Sequence, residues 1–408
     1  MLTRTLSWQL VKVCKQYPVV FVTGPRKVGK TTLLKYFASS KYHFVSLNDL
    51  NERQLALTDP VLFLKNHEPP LIIDECQYAP ILFSHIQSYL NDHQGVNGLF
   101  VLSSSIKFSK TELKKSMSCE VAILELQGLS FGEFKSKPFS DPFLPSTHYL
   151  KINNSCHDYD FQSLYRDIFY GFNLRMVAKD AEDSARHQFY NSLLQDFLCK
   201  DILYQTSIGD GVDFITFLQQ VASSTGKLLN LKQLAQASKI DLKTAKLWLN
   251  LLQKFGMVYL LPPYLKYSSS SKSKSPKIYF LDTGLCCYLA KISNADHLQI
   301  CTMNKAILKT FVLAEILKSY WYNFKEPKLY YYQGNGGIDF VLEADEILFP
   351  IEVNMSGIQK IKHYQDFDIL KFLGKKVGTG VVLCGRKDVA YLKEDVISAP
   401  VWSITLNG

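Results

Sequence analysis

The sequence predicts an α/β protein. A doubly wound sheet carries a phosphate loop, a helix–turn–helix–strand module follows, and a second α/β region ends the chain. Three observations predict this. Residues 1–135 alternate β-branched apolar runs with stretches that are apolar at helical spacing. A glycine-bounded basic loop falls between the first strand and the helix after it. Two late strand patterns carry Asp339 and Glu352 near their ends.

Taken in order, "MLTRTLSWQLVKVCKQ" reads as an amphipathic helix with no signal-peptide core. Strand 19–23, helix 30–39, strand 43–47, helix 58–66, strand 71–74, helix 80–92 and strands 98–102 and 121–126 follow. In such a sheet ligands bind at the strands' carboxyl ends. That is where Gly24-Pro25-Arg26-Lys27-Val28-Gly29-Lys30-Thr31 lies, fitting G-x-x-x-x-G-K-[ST], with Thr32 next. Glycines let the backbone curl so that its N–H groups point into a concavity that surrounds phosphate oxygens. Lys30 would reach the β- and γ-phosphates, Thr31 would offer its hydroxyl to Mg²⁺, and the helix N-terminus adds partial positive charge.

"PPLIIDECQYAP" is an apolar strand ending in Asp74 and Glu75. A carboxylate there can hold the Mg²⁺ shell, and Glu75 is placed to orient or deprotonate an attacking water. The run "GLFVLSSSIKF" is another buried strand, ending in Ser103–Ser105, where a γ-phosphate sensor would sit.

Residues 136–160 are rich in Pro, Ser and Asn and read as a linker, and 161–222 as helical. In "NLKQLAQASKIDLKTAKLWLNLLQKFGMVYLLPPY", Leu231, Leu234 and Ala235 mark a short helix. Ala245, Trp248, Leu249, Leu252 and Phe255 mark a longer one, and "MVYLL" a strand. Helix, turn, helix, strand is the order of a winged helix-turn-helix, which would aim Lys243, Lys246 and Lys254 at a groove in a nucleic acid. The basic run "KYSSSSKSKSPK" would touch phosphates electrostatically or form a solvated hairpin tip.

The last domain begins near "PKIYFLDTGLCCYLA". Two strand-borne carboxylates, Asp339 and Glu352, with a lysine two residues after the second would form a Mg²⁺-dependent phosphodiesterase core. That position holds Asn354, which carries no charge, so the constellation is incomplete.

Nine cysteines without a C-x₂-C pair argue against a zinc site or disulfide framework and for a reducing cytoplasm. No apolar run approaches the roughly 20 residues of a membrane span. The net charge of +9 permits nucleic-acid binding without requiring it.

The chain resembles the bacterial and archaeal AAA-type ATP-binding proteins, which join an ASCE-type P-loop ATPase to a winged helix and a C-terminal PD-(D/E)XK-like domain of uncertain function. The resemblance runs nearly end to end. It rests on "GPRKVGKTTLL", "FVSLNDLNERQLALTDPVLFL", "LIIDECQYAP", "LQGLSFGEF", "LLNLKQLAQASKIDLKTAKLWL", "YLLPPY", "SPKIYFLDTGL" and "GGIDFVLE…IEV". It implies ATP binding and hydrolysis with Mg²⁺ through Lys30, Thr31, Asp74 and Glu75. Where the family has "LTGS" this chain has Leu102-Ser103-Ser104-Ser105, leaving Ser105 in the sensor role. The family's "LAGR" reads Met117-Ser118-Cys119-Glu120, so an arginine becomes a carboxylate. Loss of an arginine that stabilised phosphoryl charge would cost about 10³–10⁵ in turnover. Lys309 stands where the family has a helix acid.

The expected organisation is a P-loop ATPase domain at 1–135 and a linker with a helical segment at 136–190. A winged-helix domain at 191–266 and a degenerate nuclease-like domain at 267–408 complete it. The leading function is an ATPase or nucleotide switch whose C-terminal domains bind nucleic acid or a protein. The alternative is an ATP-gated DNA- or RNA-processing nuclease centred on Asp339 and Glu352.

Overall fold

The computed structural model describes residues 3–39, 41–152, 159–173, 183–202, 211–264, 275–334, 336–355 and 365–405. The chain divides into two units. One is Met1–Gly128 with Lys254–Gly256 and Trp321–Lys325; the other is Leu129–Gln253, Met257–Tyr320 and Glu326–Gly408.

In the first unit, helix α1 (Leu6–Cys14) buries Leu6, Leu10, Val13 and Cys14, the helical stripe expected of its sequence. Strands β1 (Val19–Thr23), β2 (His43–Ser46), β3 (Leu71–Asp74), β4 (Phe100–Ser104) and β5 (Val121–Glu125) form one sheet in the order β2-β3-β4-β1-β5. Every pairing is parallel. Strands β1, β3 and β4 are buried at every residue, as their continuous apolar runs require. The edge strand β5 alternates between buried and half-buried positions. Phe21, Phe63, Ile73, Phe83, Ile86 and Leu102 belong to the core on this sheet.

Two helix boundaries differ from the sequence expectation. After α2 (Lys30–Ala38), the helix expected over 58–66 is α4 (Pro60–Asn66), and a helix that was not expected, α3 (Leu50–Thr58), precedes it. Asp49 caps α3 through the N–H groups of Asn51 and Glu52, and Asp59 caps α4 through that of Leu62. Pro60 forces the break: the residue before a proline is driven out of the helical region, and Asp59 has φ −141°. The stretch 80–92 is helical only over Leu82–Asp92, preceded by a tight turn at Cys76–Tyr78.

In the second unit, helices Phe161–Tyr170, Asp183–Phe197 and Gly211–Ser223 precede the pair Leu231–Ala237 and Leu242–Lys254. Strand β6 (Val258–Leu261) then pairs antiparallel with β7 (Lys277–Phe280), which the sequence had suggested as the opening of the last domain. Lys243 and Lys246 are exposed. Lys254, which belongs to the first unit, is instead held by Glu112 at 2.9 Å, so it is not free to face a groove. Lys272 and Lys274 lie outside the described residues.

Helix Asn304–Trp321 leads to a mixed sheet ordered β13-β14-β12-β10-β9-β8, with β11 beside β10. Its strands are β8 (Lys328–Gly334), β9 (Gly336–Ala344), β10 (Ile347–Val353), β11 (Lys376–Val377), β12 (Gly380–Cys384), β13 (Ala390–Lys393) and β14 (Val396–Pro400). No helix among the described residues is long and apolar enough to cross a membrane.

Candidate nucleotide site

The loop Gly24–Gly29 springs from the carboxyl end of β1 and runs into α2. Its two glycines are needed where they stand. Gly24 has φ +153°, and a Cβ there would lie 1.8 Å from the carbonyl oxygen of Leu126. Gly29 caps α2 with φ 100°, in the left-handed region that favours glycine. Lys30 is buried, and its ammonium donates to the carbonyl oxygens of Gly24 (2.7 Å) and Pro25 (2.8 Å), folding back across its own loop. Phosphate oxygens would compete with these carbonyls for the same donors.

Thr31 Oγ1 donates to Asp74 Oδ2 at 2.8 Å. Oxygens in adjacent positions of an octahedral Mg²⁺ shell lie about 2.9 Å apart, given metal–oxygen bonds of about 2.0–2.1 Å. The pair therefore fits one edge of such a shell. The other carboxylate oxygen of Asp74 accepts from Ser103 Oγ, and Ser46 Oγ lies 3.4 Å from Oδ2. No cluster of three or more His, Cys, Asp or Glu side chains that could hold a metal ion occurs among the described residues.

Glu75 follows β3 with φ 57° and ψ 44°, a left-handed conformation that costs a non-glycine residue energy and is held here by its surroundings. Its N–H reaches Ser103 Oγ at 3.3 Å. Its Oε2 accepts from Gln77 Nε2 (2.5 Å) and Ser105 Oγ (2.9 Å), and Gln77 also donates to Ser105 at 2.9 Å. Burial pushes the Glu75 carboxyl up. The charges of Lys30 and Arg26, with the Gln77 and Ser105 hydrogen bonds, outweigh burial and hold it below its ordinary value. Glu75 is thus ionised at neutral pH, suited to accepting a hydrogen bond from a water.

The sequence-derived residues Gly24 to Thr32, Asp74, Glu75 and Ser105 all stand at the carboxyl ends of β1, β3 and β4. Several partners were missed. Arg4, buried ahead of α1, donates to the carbonyl oxygens of Val28 and Gln127, both at 2.8 Å, and so braces the loop from behind. Ser103, passed over in favour of Ser105, touches Asp74. Gln77 and Tyr78 sit on the turn after Glu75, beside the acidic pair that ends β3.

Position 120 also needs correction. Strand β5 runs parallel to β1, with Val19 opposite Val121 and Thr23 opposite Glu125. Glu120 is exposed before the start of β5. It therefore lies at the end of the sheet away from the loop, about 16 Å along the strand at about 3.3 Å per residue. Within the chain it neither supplies nor opposes charge at the phosphates.

The second carboxylate pair has a different environment. Asp339 on β9 and Glu352 on β10 are neighbours on antiparallel strands. The Asp339 N–H reaches Glu352 Oε2 (3.3 Å), and the Val353 N–H reaches Asp339 Oδ2 (3.1 Å). Lys309 makes a direct ion pair with Asp339 Oδ1. Burial, then the Asp339 charge, pushes Glu352 up to about 8 against the pull of Lys309. Burial also draws the Lys277 ammonium down, while Asp339 and Glu352 favour its charge. Asn354 is buried two residues beyond. One carboxylate is neutralised by lysine and the other is largely protonated at neutral pH, so these residues do not fit a Mg²⁺ site.

Comparison with known proteins divides the chain in three. Residues 16–135 match the model of an AAA domain. Residues 163–296 match a domain of unknown function (DUF8612), and 304–404 another (DUF4143). An uncharacterized protein of Mycobacterium tuberculosis is 25% identical over 366 residues, covering 88% of this chain and 75% of its own length. A Mycobacterium bovis protein matches to the same extent. Among solved structures, a Walker-type ATPase of Pyrococcus abyssi overlaps 71% of this chain and 96% of its own, with TM-score 0.43 and 11% identity. A RuvB variant of Thermotoga maritima overlaps 64% and 89%, with TM-score 0.30 and 19% identity. At these scores the structures are likenesses only. The AAA-domain match, with the parallel sheet and its loop, supports an AAA-type P-loop fold for the first part of the chain.

Proposed function

We propose that this chain binds and hydrolyses ATP with Mg²⁺, and that its C-terminal domains hold the partner on which nucleotide turnover acts. The observation that carries the reading is the convergence of Lys30, the Thr31–Asp74 pair and an ionised Glu75 at the mouth of one phosphate loop. Lys30 would leave its loop carbonyls for the β- and γ-phosphates, and the loop N–H groups would surround their oxygens. Thr31 and Asp74 would hold Mg²⁺, which when bound offsets phosphate charge. Glu75 would orient the water, fixed by Gln77 and Ser105. ATP, rather than another nucleoside triphosphate, follows from the family resemblance.

Glu75→Gln tests this directly. The amide fills the same space but cannot carry the charge, so binding should survive and hydrolysis should fall. Hydrolysis at the parent rate would make Glu75 a turn residue.

For the partner, we read the helix pair 231–237 and 242–254 with strands β6 and β7 as a winged helix facing nucleic acid. Exposed Lys243 and Lys246 support this. Salt-dependent binding of a duplex or single strand would bear it out. No association at low ionic strength would leave a protein partner. The C-terminal sheet is read as a binding domain, because Lys309 occupies the carboxylate that a nuclease would give to metal.

A further inference from the structure

We infer that Arg26 supplies a guanidinium in cis to the transferred γ-phosphate, and that Tyr78 is the positioning residue that holds it there. The inference rests on the ATP-hydrolysis reading above.

Arg26 belongs to the phosphate loop itself, two residues after Gly24, so its backbone is fixed where phosphates would be cradled. Its Nη2 donates to the Tyr78 hydroxyl at 2.8 Å. Tyr78 is itself fixed. It is buried, its N–H reaches the Glu75 carbonyl oxygen at 3.2 Å, and the Arg53 guanidinium lies 3.8 Å from its ring centroid. Arg53 is tied in turn to the Leu47 carbonyl oxygen at 2.7 Å. This chain of contacts carries the Arg26 charge across from the loop to the turn that bears Glu75. A water held by Glu75 against a γ-phosphate held by Lys30 would have this guanidinium on the same side of the loop.

In hydrolysis the water oxygen bonds to the γ-phosphorus. The bond from that phosphorus to the β,γ-bridging oxygen breaks, its electron pair leaving on ADP, and the water gives up one proton to the Glu75 carboxylate. Negative charge spreads over the γ-oxygens and the bridging oxygen as this happens. A guanidinium already in place stabilises that charge without reorganising at the moment of reaction. The competing account is that Arg26 merely staples the loop to the turn. That account predicts equal harm to every nucleotide state, whereas the inference predicts harm concentrated on the charge-spread state.

The test uses the full chain with 2′/3′-N-methylanthraniloyl-ADP, alone and with aluminium fluoride, beside steady-state hydrolysis of Mg-ATP. Arg26→Gln should hold the fluorescent ADP within about 3-fold of the parent. It should lose about 10²–10³ in kcat, and with it the extra affinity conferred by aluminium fluoride. Arg26→Lys should recover only part, since an ammonium lacks the planar fork. Tyr78→Phe should lower kcat several-fold with KM little changed, and circular dichroism should report folding for each variant.

Parent-like hydrolysis in folded Arg26→Gln overturns the inference. So do equal losses for ADP and its aluminium fluoride complex. If the parent gains no affinity from aluminium fluoride, the inference and the hydrolysis reading both fall. If the parent gains it and Arg26→Gln keeps it, only the inference falls.

Discussion

The chain holds two strand-borne carboxylate pairs whose surroundings give them opposite character. Asp74 and Glu75 end a parallel strand beside a phosphate loop, with hydroxyls, an amide and cationic side chains around them. Glu75 is held ionised despite burial, and Asp74 accepts a hydrogen bond from Thr31. Asp339 and Glu352 lie side by side in a mixed sheet, where Lys309 closes on the first and burial keeps a proton on the second up to a pKa of about 8. The residue types are the same. What differs is whether the surrounding cations and hydrogen-bond donors outweigh burial at the glutamate, as at Glu75, or burial wins, as at Glu352.

The largest effect is expected at Lys30. Lys30→Ala removes the ammonium that faces the phosphates, so Mg-ATP affinity should fall on the order of 10²-fold or more in an equilibrium binding assay. Near-normal affinity in the folded variant would remove the phosphate loop from the argument. Next comes Glu75→Gln, whose kcat should drop by about 10²–10⁴ while nucleotide affinity stays within about 3-fold. On the other side of the comparison, purified protein with Mg²⁺ or Mn²⁺ should leave DNA and RNA uncut. Metal-dependent cleavage lost in Asp339→Ala and Lys309→Ala, but kept in Lys30→Ala, would show that Lys309 serves the chemistry instead of blocking it.

A smaller effect sharpens the contrast through pH. The carboxyl of Glu352 is raised from 4.5 to about 8, so between these values the folded chain binds more protons than the unfolded one. Its contribution to stability is therefore full below about 4.5 and is lost as pH rises through about 8. Glu352→Gln cannot ionise, so its melting temperature should decline less than the parent's across that interval. The difference should amount to roughly 1–3 kcal/mol near the upper end. Parallel pH profiles would mean that Glu352 is ionised in the fold. The smallest effect is expected at the helix pair: if Lys243 and Lys246 contact nucleic-acid phosphates, replacing each by alanine should reduce the salt slope of binding by about 1.

The first pair was legible in the sequence because its determinants are local. A loop, a strand and a two-residue acidic ending each carry their chemistry within a dozen positions. Most of its supports were not legible, because Arg4 and Ser103 become neighbours only once the parallel strands are ordered, although Gln77 is local to Glu75. The second pair shows the same limit from the other side. Asn354 signalled an incomplete site, but nothing in the local pattern placed Lys309, thirty residues upstream, on Asp339. The start of α4 at Pro60 was written in Asp59-Pro60, a local signal passed over in placing the helix at 58–66, and α3 before it was not expected. The position of Glu120 followed from strand direction, which spacing alone does not supply.

Arg4 also touches Tyr322, whose hydroxyl lies 3.2 Å from the Arg4 guanidinium and donates to the Gly128 carbonyl oxygen at 2.7 Å. The brace behind the phosphate loop is thus completed by a residue 318 positions downstream of the arginine it meets. A ribosome adding about 5–20 residues each second needs roughly 10–40 s to travel from Gly128 to Tyr322. Throughout that interval the nascent loop has its glycines and its lysine but an unfinished backing. Capacity to grip a nucleotide would therefore arrive late in synthesis, after most of the polypeptide has left the exit tunnel.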